Sequence, residues 1–179
     1  LGQGSSVKME TQETMKIIAA GNIFTGTFER DGMGGILTLG RNFECRPNKL
    51  KGYYKYTSAK VSVSKGHLNE GEDDLCSLYI ALTDEQITVN TNKGIYFDPN
   101  SSAVIAYGSI SDEESKGADS FKEFTVDLEY KDLKRIPKYI IVVASSSKYG
   151  DYMEGGKGST MWLDDLELVY PKSMEEVRK

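Results

Sequence analysis

The amino-acid sequence predicts an all-β fold, a two-sheet antiparallel β-sandwich, with a jelly roll as the first choice. Apolar and polar residues alternate in short runs from end to end, and no segment repeats apolar residues at helical spacing over three turns. The 18 glycines supply the many turns that such a fold needs. Short strands joined by polar loops, without helical crossovers, favour packed antiparallel sheets over a parallel α/β arrangement.

The predicted strands are separated by turns rich in Gly, Pro or acidic residues. Gly21 and Gly26 lie within the second strand at positions suited to tight turns or bulges, and the glycine-rich segment 31–35 predicts a loop after it. The strands are predicted at 5–11, 17–28, 36–39, 50–57, 61–63, 75–82, 87–89, 104–110, 121–130, 139–144 and 161–170.

Alternation within these strands predicts the core. One face of strand 75–82 carries Cys76, Leu78, Ile80 and Leu82. One face of strand 121–130 carries Phe124, Val126, Leu128 and Tyr130. Charged residues occupy the opposite face of strand 121–130, so we expect that face to contact water.

The chain is expected to form one domain over residues 1–171, whose start is expected to be truncated, followed by a charged tail at 172–179. A net charge of −5 and scattered Lys and Arg residues exclude nucleic acid as an expected partner. No apolar run approaches the ~20 residues that cross a bilayer. The single histidine, His67, excludes chemistry built on His clusters and is expected to be solvated rather than a zinc ligand.

The two cysteines, Cys45 and Cys76, could form a disulfide or remain free thiols. They are sufficient for one disulfide, but each lies in or beside an apolar run, where a free thiol behaves as a small hydrophobe.

The segment 46–56 is one candidate for ligand binding, because it combines aromatic, guanidinium and amide groups. A sugar presents apolar C–H faces and a belt of hydroxyls, so its site needs an exposed ring beside polar donors. Tyr53, Arg46 and Asn48 are predicted to supply these groups. The alternative is that the tyrosines are half-buried sheet residues, with Tyr54 and Tyr56 facing opposite to Tyr53.

The loop 145–160 is a second candidate, because loops on a rigid sandwich commonly carry recognition. Tyr149, Asp151 and Tyr152 are its predicted ligand-binding residues. The loop feeds strand 161–170, in which uninterrupted alternation would send Asp164 toward the apolar side. A carboxylate there needs backbone donors, a basic partner or a hard cation such as Ca²⁺.

Several stretches together resemble the putative carbohydrate metabolism domain family of secreted and surface proteins of Bacteroides-type bacteria. They are 5–11, 20–28, 46–56 and 155–170, in the family's order. The resemblance implies a galactose-binding-like jelly roll and a non-catalytic carbohydrate-binding module, extracellular or associated with the outer membrane. It implies a glycan partner and no required cofactor, and it makes Asp164 a candidate ligand of a structural Ca²⁺, with Glu10 as an early carboxylate.

Two other functions stay open. A glycoside hydrolase would use paired carboxylates such as Asp151 and Glu154. A protein-binding adhesive or spacer sandwich would instead expose a contiguous apolar patch.

Overall fold

The structure is a computed structural model that describes residues 4–32 and 34–172. Within these ranges the chain forms strands, one short α-helix and two single-turn 3₁₀ helices. The strands are β1 (Val7–Glu10), β2 (Gln12–Thr14), β3 (Ile17–Ala19), β4 (Asn22–Phe24), β5 (Gly26–Asp31), β6 (Gly34–Leu39), β7 (Arg41–Asn42), β8 (Lys49–Thr57), β9 (Ser77–Thr83), β10 (Ile87–Asn90), β11 (Val104–Ser109), β12 (Ala118–Asp127), β13 (Glu129–Tyr130), β14 (Tyr139–Ser145) and β15 (Thr160–Val169). The α-helix α1 is Asp112–Ser115, and the 3₁₀ helices are Thr91–Lys93 and Gly150–Tyr152.

Two antiparallel sheets form the sandwich, which confirms the predicted fold class. The front sheet has the order β1-β15-β8-β12, and the back sheet has the order β13-β11-β9-β14-β4 with β7 also paired to β14. The chain passes between the sheets from β8 to β9, from β11 to β12 and from β14 to β15. This exchange between sheets is typical of a jelly roll.

The predicted core faces are confirmed. Alternation in β8 sends Tyr54 and Tyr56 inward, at 0% and 2% exposure, and leaves Tyr53 half-buried on the outer face. Both buried tyrosines retain partners, because their hydroxyls donate to the carbonyls of Glu114 and Ser146. From the opposite sheet, Cys76, Leu78, Ile80 and Leu82 pack into the same cluster. Tyrosine suits these positions because its ring is buried while its hydroxyl keeps a hydrogen-bond partner.

A third layer was not predicted. The small sheet, in the order β10-β6-β5, packs on the outer face of the back sheet. Its contact is a second apolar cluster of Leu39, Val89, Ala81 and Ile141. Because both faces of β9 and β14 are thereby covered, these strands are apolar almost throughout.

A bulge in β15 overturns the predicted orientation of Asp164. The pairing with β8 shifts between Asp164 and Glu167, and Asp165 has a left-handed φ of 49°. Before the bulge, Met161 and Leu163 face the core, so Asp164 lies on the outer face. The extra residue reverses the alternation after it, which is why Leu168 packs inward despite having the parity of Asp164.

The remaining predictions from the sequence differ in how they compare with the structure. Residues 61–63 do not form the predicted strand, and Val63 makes an isolated bridge with Gly155. Cys45 is exposed and Cys76 is buried, and both are free thiols; burial raises the pKa of Cys76 to about 12. Residues 173–179 of the predicted tail lie outside the described residues. No helix in the described ranges is long and apolar enough to span a membrane.

A buried polar network closes one end of the sandwich, and we call it the Asp74 network. The Asp74 carboxylate accepts hydrogen bonds from the hydroxyls of Ser147 and Ser159 and from the backbone N–H groups of Leu75 and Gly156. The Ser147 hydroxyl also contacts that of Thr11 at 2.6 Å. The network therefore joins segments from the start, middle and end of the chain.

Candidate functional site

A groove with a volume of about 450 Å³ opens between the small sheet and the 3₁₀ helix Gly150–Tyr152. The turn between β3 and β4 forms part of its wall. The side chains that give it chemical character are Asn22, Phe24, Phe28, Asp151 and Met153. We call this cavity the Asp151 groove. Its size is within the range of small-molecule sites.

Phe28 provides an aromatic surface in the groove. It lies on the edge strand β5 and is 58% exposed, an unusual position for a large apolar ring. The ring lies over Gly35 of the neighbouring strand, where any Cβ would overlap it. The absence of a side chain at Gly35 therefore allows the Phe28 ring to rest against the sheet.

Asp151 provides the charge in the groove. Gly150 packs directly on Ala20, where a side chain would clash, and this contact brings the next residue to the groove wall. Asp151 lines both the groove and an adjoining cavity of about 50 Å³. Among the described residues, none donates a hydrogen bond to its carboxylate or forms an ion pair with it. Burial alone raises its pKa above the ordinary value.

Tyr149 and Tyr152 surround the Asp151 turn without lining the groove. Tyr152 stacks on Tyr96 with a centroid distance of 3.9 Å and packs against His67 at 4.3 Å. Tyr149 stacks on His67, also at 4.3 Å. Tyr152 is half-buried, and its ring contacts support the turn that carries Asp151.

His67 and Glu154 anchor the same turn to loop 65–68. Glu154 is fully buried, and its carboxylate accepts the backbone N–H groups of Lys65, His67 and Leu68 and contacts His67 Nδ1 at 3.0 Å. Burial raises the pKa of Glu154, but these hydrogen bonds outweigh it, so the pKa lies below its usual range. His67 is exposed, in line with the predicted solvated side chain, and it is also a structural partner of Glu154.

The candidates from segment 46–56 lie away from the groove. Arg46 donates to the carbonyl of Arg135 and lies 5.8 Å from the centre of the Tyr130 ring. The Arg46 Nη1 and Asn48 Oδ1 atoms are buried without hydrogen-bond partners. Tyr53 lies on the outer face of the front sheet, opposite Asp164. These three residues therefore do not form one site with the loop candidates.

Calcium binding by Asp164 stays a prediction. Its Oδ1 atom accepts the N–H of Asp165 at 2.9 Å. Glu10 bonds Lys8 and Gln12. In residues 4–32 and 34–172, no group of three His, Cys, Asp or Glu side chains is arranged to hold a metal ion.

The sequence analysis found Asp151 but missed Phe28 and Asn22. Phe28 was assigned to a strand, and its exposure follows from β5 being an edge of the small sheet. The available signal was the Gly-Gly pair at 34–35, which we interpreted only as a loop. Two adjacent glycines on one strand of a hairpin, near an aromatic residue of the other strand, leave room for the ring to lie over the partner strand.

We expect Asp151→Asn to raise the thermal stability of the protein at neutral pH. The raised pKa means that the folded state disfavours the charged form, and this penalty grows as pH rises from the ordinary value of 3.8 through the folded-state pKa. The neutral amide removes it, which should increase Tm by about 2–4 °C, the shift that ~1 kcal/mol produces in a domain of this size. Calorimetry at neutral pH measures this effect. A lower Tm would show that the carboxylate has a structural partner.

The chain matches one family model and is similar to several solved structures. The chain matches the family model described as "Putative carbohydrate metabolism domain" over residues 2–169. A structure of a putative glycoside hydrolase from Bacteroides thetaiotaomicron is 25% identical with a TM-score of 0.77, covering 96% of this chain and 55% of that one. Another, from Bacteroides vulgatus, is 24% identical with a TM-score of 0.75, covering 94% and 74%.

This chain therefore spans about half the length of the first of these structures. The second similarity indicates a shared fold. No curated protein matches the chain.

Proposed function

Because the chain belongs to the putative carbohydrate metabolism domain family, we propose that it is a non-catalytic carbohydrate-binding module whose glycan occupies the Asp151 groove. The observation that carries the proposal is an exposed ring, Phe28, in the same open groove as an unpartnered carboxylate, Asp151. A sugar ring can stack its C–H face on the first and donate hydroxyl hydrogen bonds to the second. The exposed amide of Asn22 adds a donor and an acceptor.

The carboxylates near the groove support binding without hydrolysis. Paired-carboxylate glycosidases place two acidic groups about 5–9.5 Å apart across the scissile bond. Asp151 is the acidic residue in the described lining of the groove. Glu154, its predicted partner in a hydrolase, is fully buried and holds loop 65–68. Turnover of a reporter glycoside that is lost in Asp151→Asn would contradict the proposal.

We propose that the module is displayed outside a bacterial cell, where it holds polysaccharide near enzymes or transporters. The family description concerns carbohydrate metabolism, and the two similar structures are described as putative glycoside hydrolases. A binding module fits that setting because an open groove retains a chain weakly and reversibly. Membrane fractionation of the native protein, with protease treatment of intact cells, tests this location.

We expect Phe28→Ala to weaken glycan binding by about tenfold or more, the loss typical of one stacked ring. The measurement is binding of the purified protein to a glycan array, followed by titration calorimetry with the best glycan. Tyr53→Ala is the matched variant, because it removes an aromatic ring from the outer face of the front sheet. If Tyr53→Ala abolishes binding and Phe28→Ala does not, the glycan binds on the front sheet and not in the groove.

One observation favours a second candidate, a protein-binding spacer. Ile23 and Leu166, 41% and 44% exposed, border an apolar cavity of about 320 Å³ between the edges of the two main sheets. Exposed apolar surface of this kind can contact another protein. This candidate predicts no response to any glycan on the array, and loss of partner binding in Leu166→Ser.

A further inference from the structure

The charge in the Asp151 groove indicates which class of sugar the groove binds. Resting on the proposed glycan-binding function, we infer that the Asp151 groove selects glycans containing a hexosamine with a free, protonated amine. The inference joins three observations: the unpartnered Asp151 carboxylate, the lack of competing cations in the described lining, and the adjacent Phe28 ring.

Two cations near the groove along the chain have other partners. Lys148 lines the adjoining small cavity, but its Nζ atom pairs with Asp112 at 3.2 Å. Arg30 lies on the same strand as Phe28, and its Nε atom donates to the carbonyl of Gly32 at the hairpin tip. The described lining of the groove itself contains no Lys or Arg. The Asp151 charge is therefore available to a cation brought by the ligand.

An ammonium group suits this carboxylate better than a hydroxyl does. A half-buried anion without donors is costly, and a charge-assisted hydrogen bond to it is about twice as strong as a neutral one. The same charge, together with the chain's net charge of −5, repels uronic acids and sulfated sugars. The sugar ring of a hexosamine keeps an apolar face for Phe28, so one ligand can satisfy both groups.

The test uses matched glycans that differ only at carbon 2. Sets with gluco, galacto and manno configuration carry a hydroxyl, a free amine or an N-acetylated amine, and a uronic acid oligomer is added. Binding is measured by calorimetry at a pH below that at which the free amine loses its proton. In at least one set we expect the free amine to bind about tenfold more tightly than the other two forms, because a hydrogen bond to a charged group contributes about 1.5–3 kcal/mol.

Asp151→Asn should abolish this preference while the neutral sugar still binds. Raising the salt concentration should weaken the amine's advantage in the unmodified protein. Asp165→Asn is the control, because it removes the same charge from an exposed position at the β15 bulge, where Asn tolerates the left-handed φ of 49°. The control should keep the preference.

The outcomes separate this inference from the proposed function. If a neutral or N-acetylated glycan binds in the groove as tightly as the free amine in every set, the hexosamine inference is wrong and the glycan-binding function stands. If the preference for the free amine persists in Asp151→Asn, the inference is also wrong, because a group other than Asp151 then binds the amine. If no glycan of any class binds, both proposals fail.

Discussion

Asp74→Ala is expected to lower the free energy of unfolding by about 3–5 kcal/mol, because it leaves several buried donors without an acceptor. The carboxylate accepts four hydrogen bonds, of 2.6–2.8 Å, from two backbone N–H groups and two serine hydroxyls. Neither backbone donor can turn toward water. A loss of this size lowers Tm by about 10 °C in a domain of this length, as calorimetry or urea unfolding would show.

The adjacent residue supplies the control. Asp73 makes an ion pair with Lys60, but both side chains are more than 60% exposed, at 69% and 66%. Asp73→Ala should therefore change the stability by less than about 1 kcal/mol. Equal losses in the two variants would mean that the Asp74 network adds nothing beyond an ordinary surface charge.

The pH dependence of Asp74 should run opposite to that of most carboxylates. Burial raises its pKa, and the hydrogen bonds from Ser147, Gly156, Ser159 and Leu75 offset burial only in part. A folded-state pKa above the unfolded value means that the group's contribution to stability is greatest at low pH. It falls as pH rises from 3.8 through the folded-state pKa.

Glu154→Gln is expected to lower the free energy of unfolding by about 2–4 kcal/mol at neutral pH. The charged carboxylate holds three backbone N–H groups and the His67 ring, and an amide retains one acceptor oxygen while presenting two hydrogens to those donors. The effect should be local as well as global. Hydrogen exchange should show lost protection at the amides of Lys65, His67 and Leu68.

The sign of the Glu154 pH dependence follows from its lowered pKa. The stabilisation is complete above the ordinary value of 4.5 and is lost as pH falls through the lower folded-state pKa. The unmodified protein should therefore lose stability on acidification over that window more steeply than Glu154→Gln does.

Glu70→Gln is the matched control, an exposed carboxylate in the same acidic loop. It should leave the protection of the three amides unchanged. If Glu154→Gln also leaves them protected, the carboxylate does not organise this loop. Because Tyr149 stacks on His67 and Tyr152 packs against it, the variant should further loosen the turn that carries Asp151.

The residues of the Asp151 groove were only partly predictable from patterns in the sequence. Asp151 was predicted because it lies in a long loop feeding the last strand, and the structure places it in the lining of a groove. Phe28 and Asp151 come together because the small sheet folds over the back sheet. That packing depends on contacts between segments distant in the chain, which local alternation does not encode.

Two orientations illustrate the same limit. The shared face of Tyr54 and Tyr56, opposite to Tyr53, followed from the period of two, because burial alternates without a break from Lys49 to Tyr56 in β8. The direction of the Asp164 side chain could not be predicted from alternation. One extra residue at the Asp165 bulge makes the inward positions of β15 change from odd to even numbers.

The sequence by itself determined the all-β class, the inner faces of the long strands and membership of the putative carbohydrate metabolism domain family, since each is written in local alternation or in ordered blocks of residues. The tertiary structure decided that Glu154 is buried against His67, that Asp164 faces outward and that Phe28 and Asp151 line the same groove. These depend on which surfaces pack together. Packing is a long-range property, so it is fixed only when the whole chain is folded.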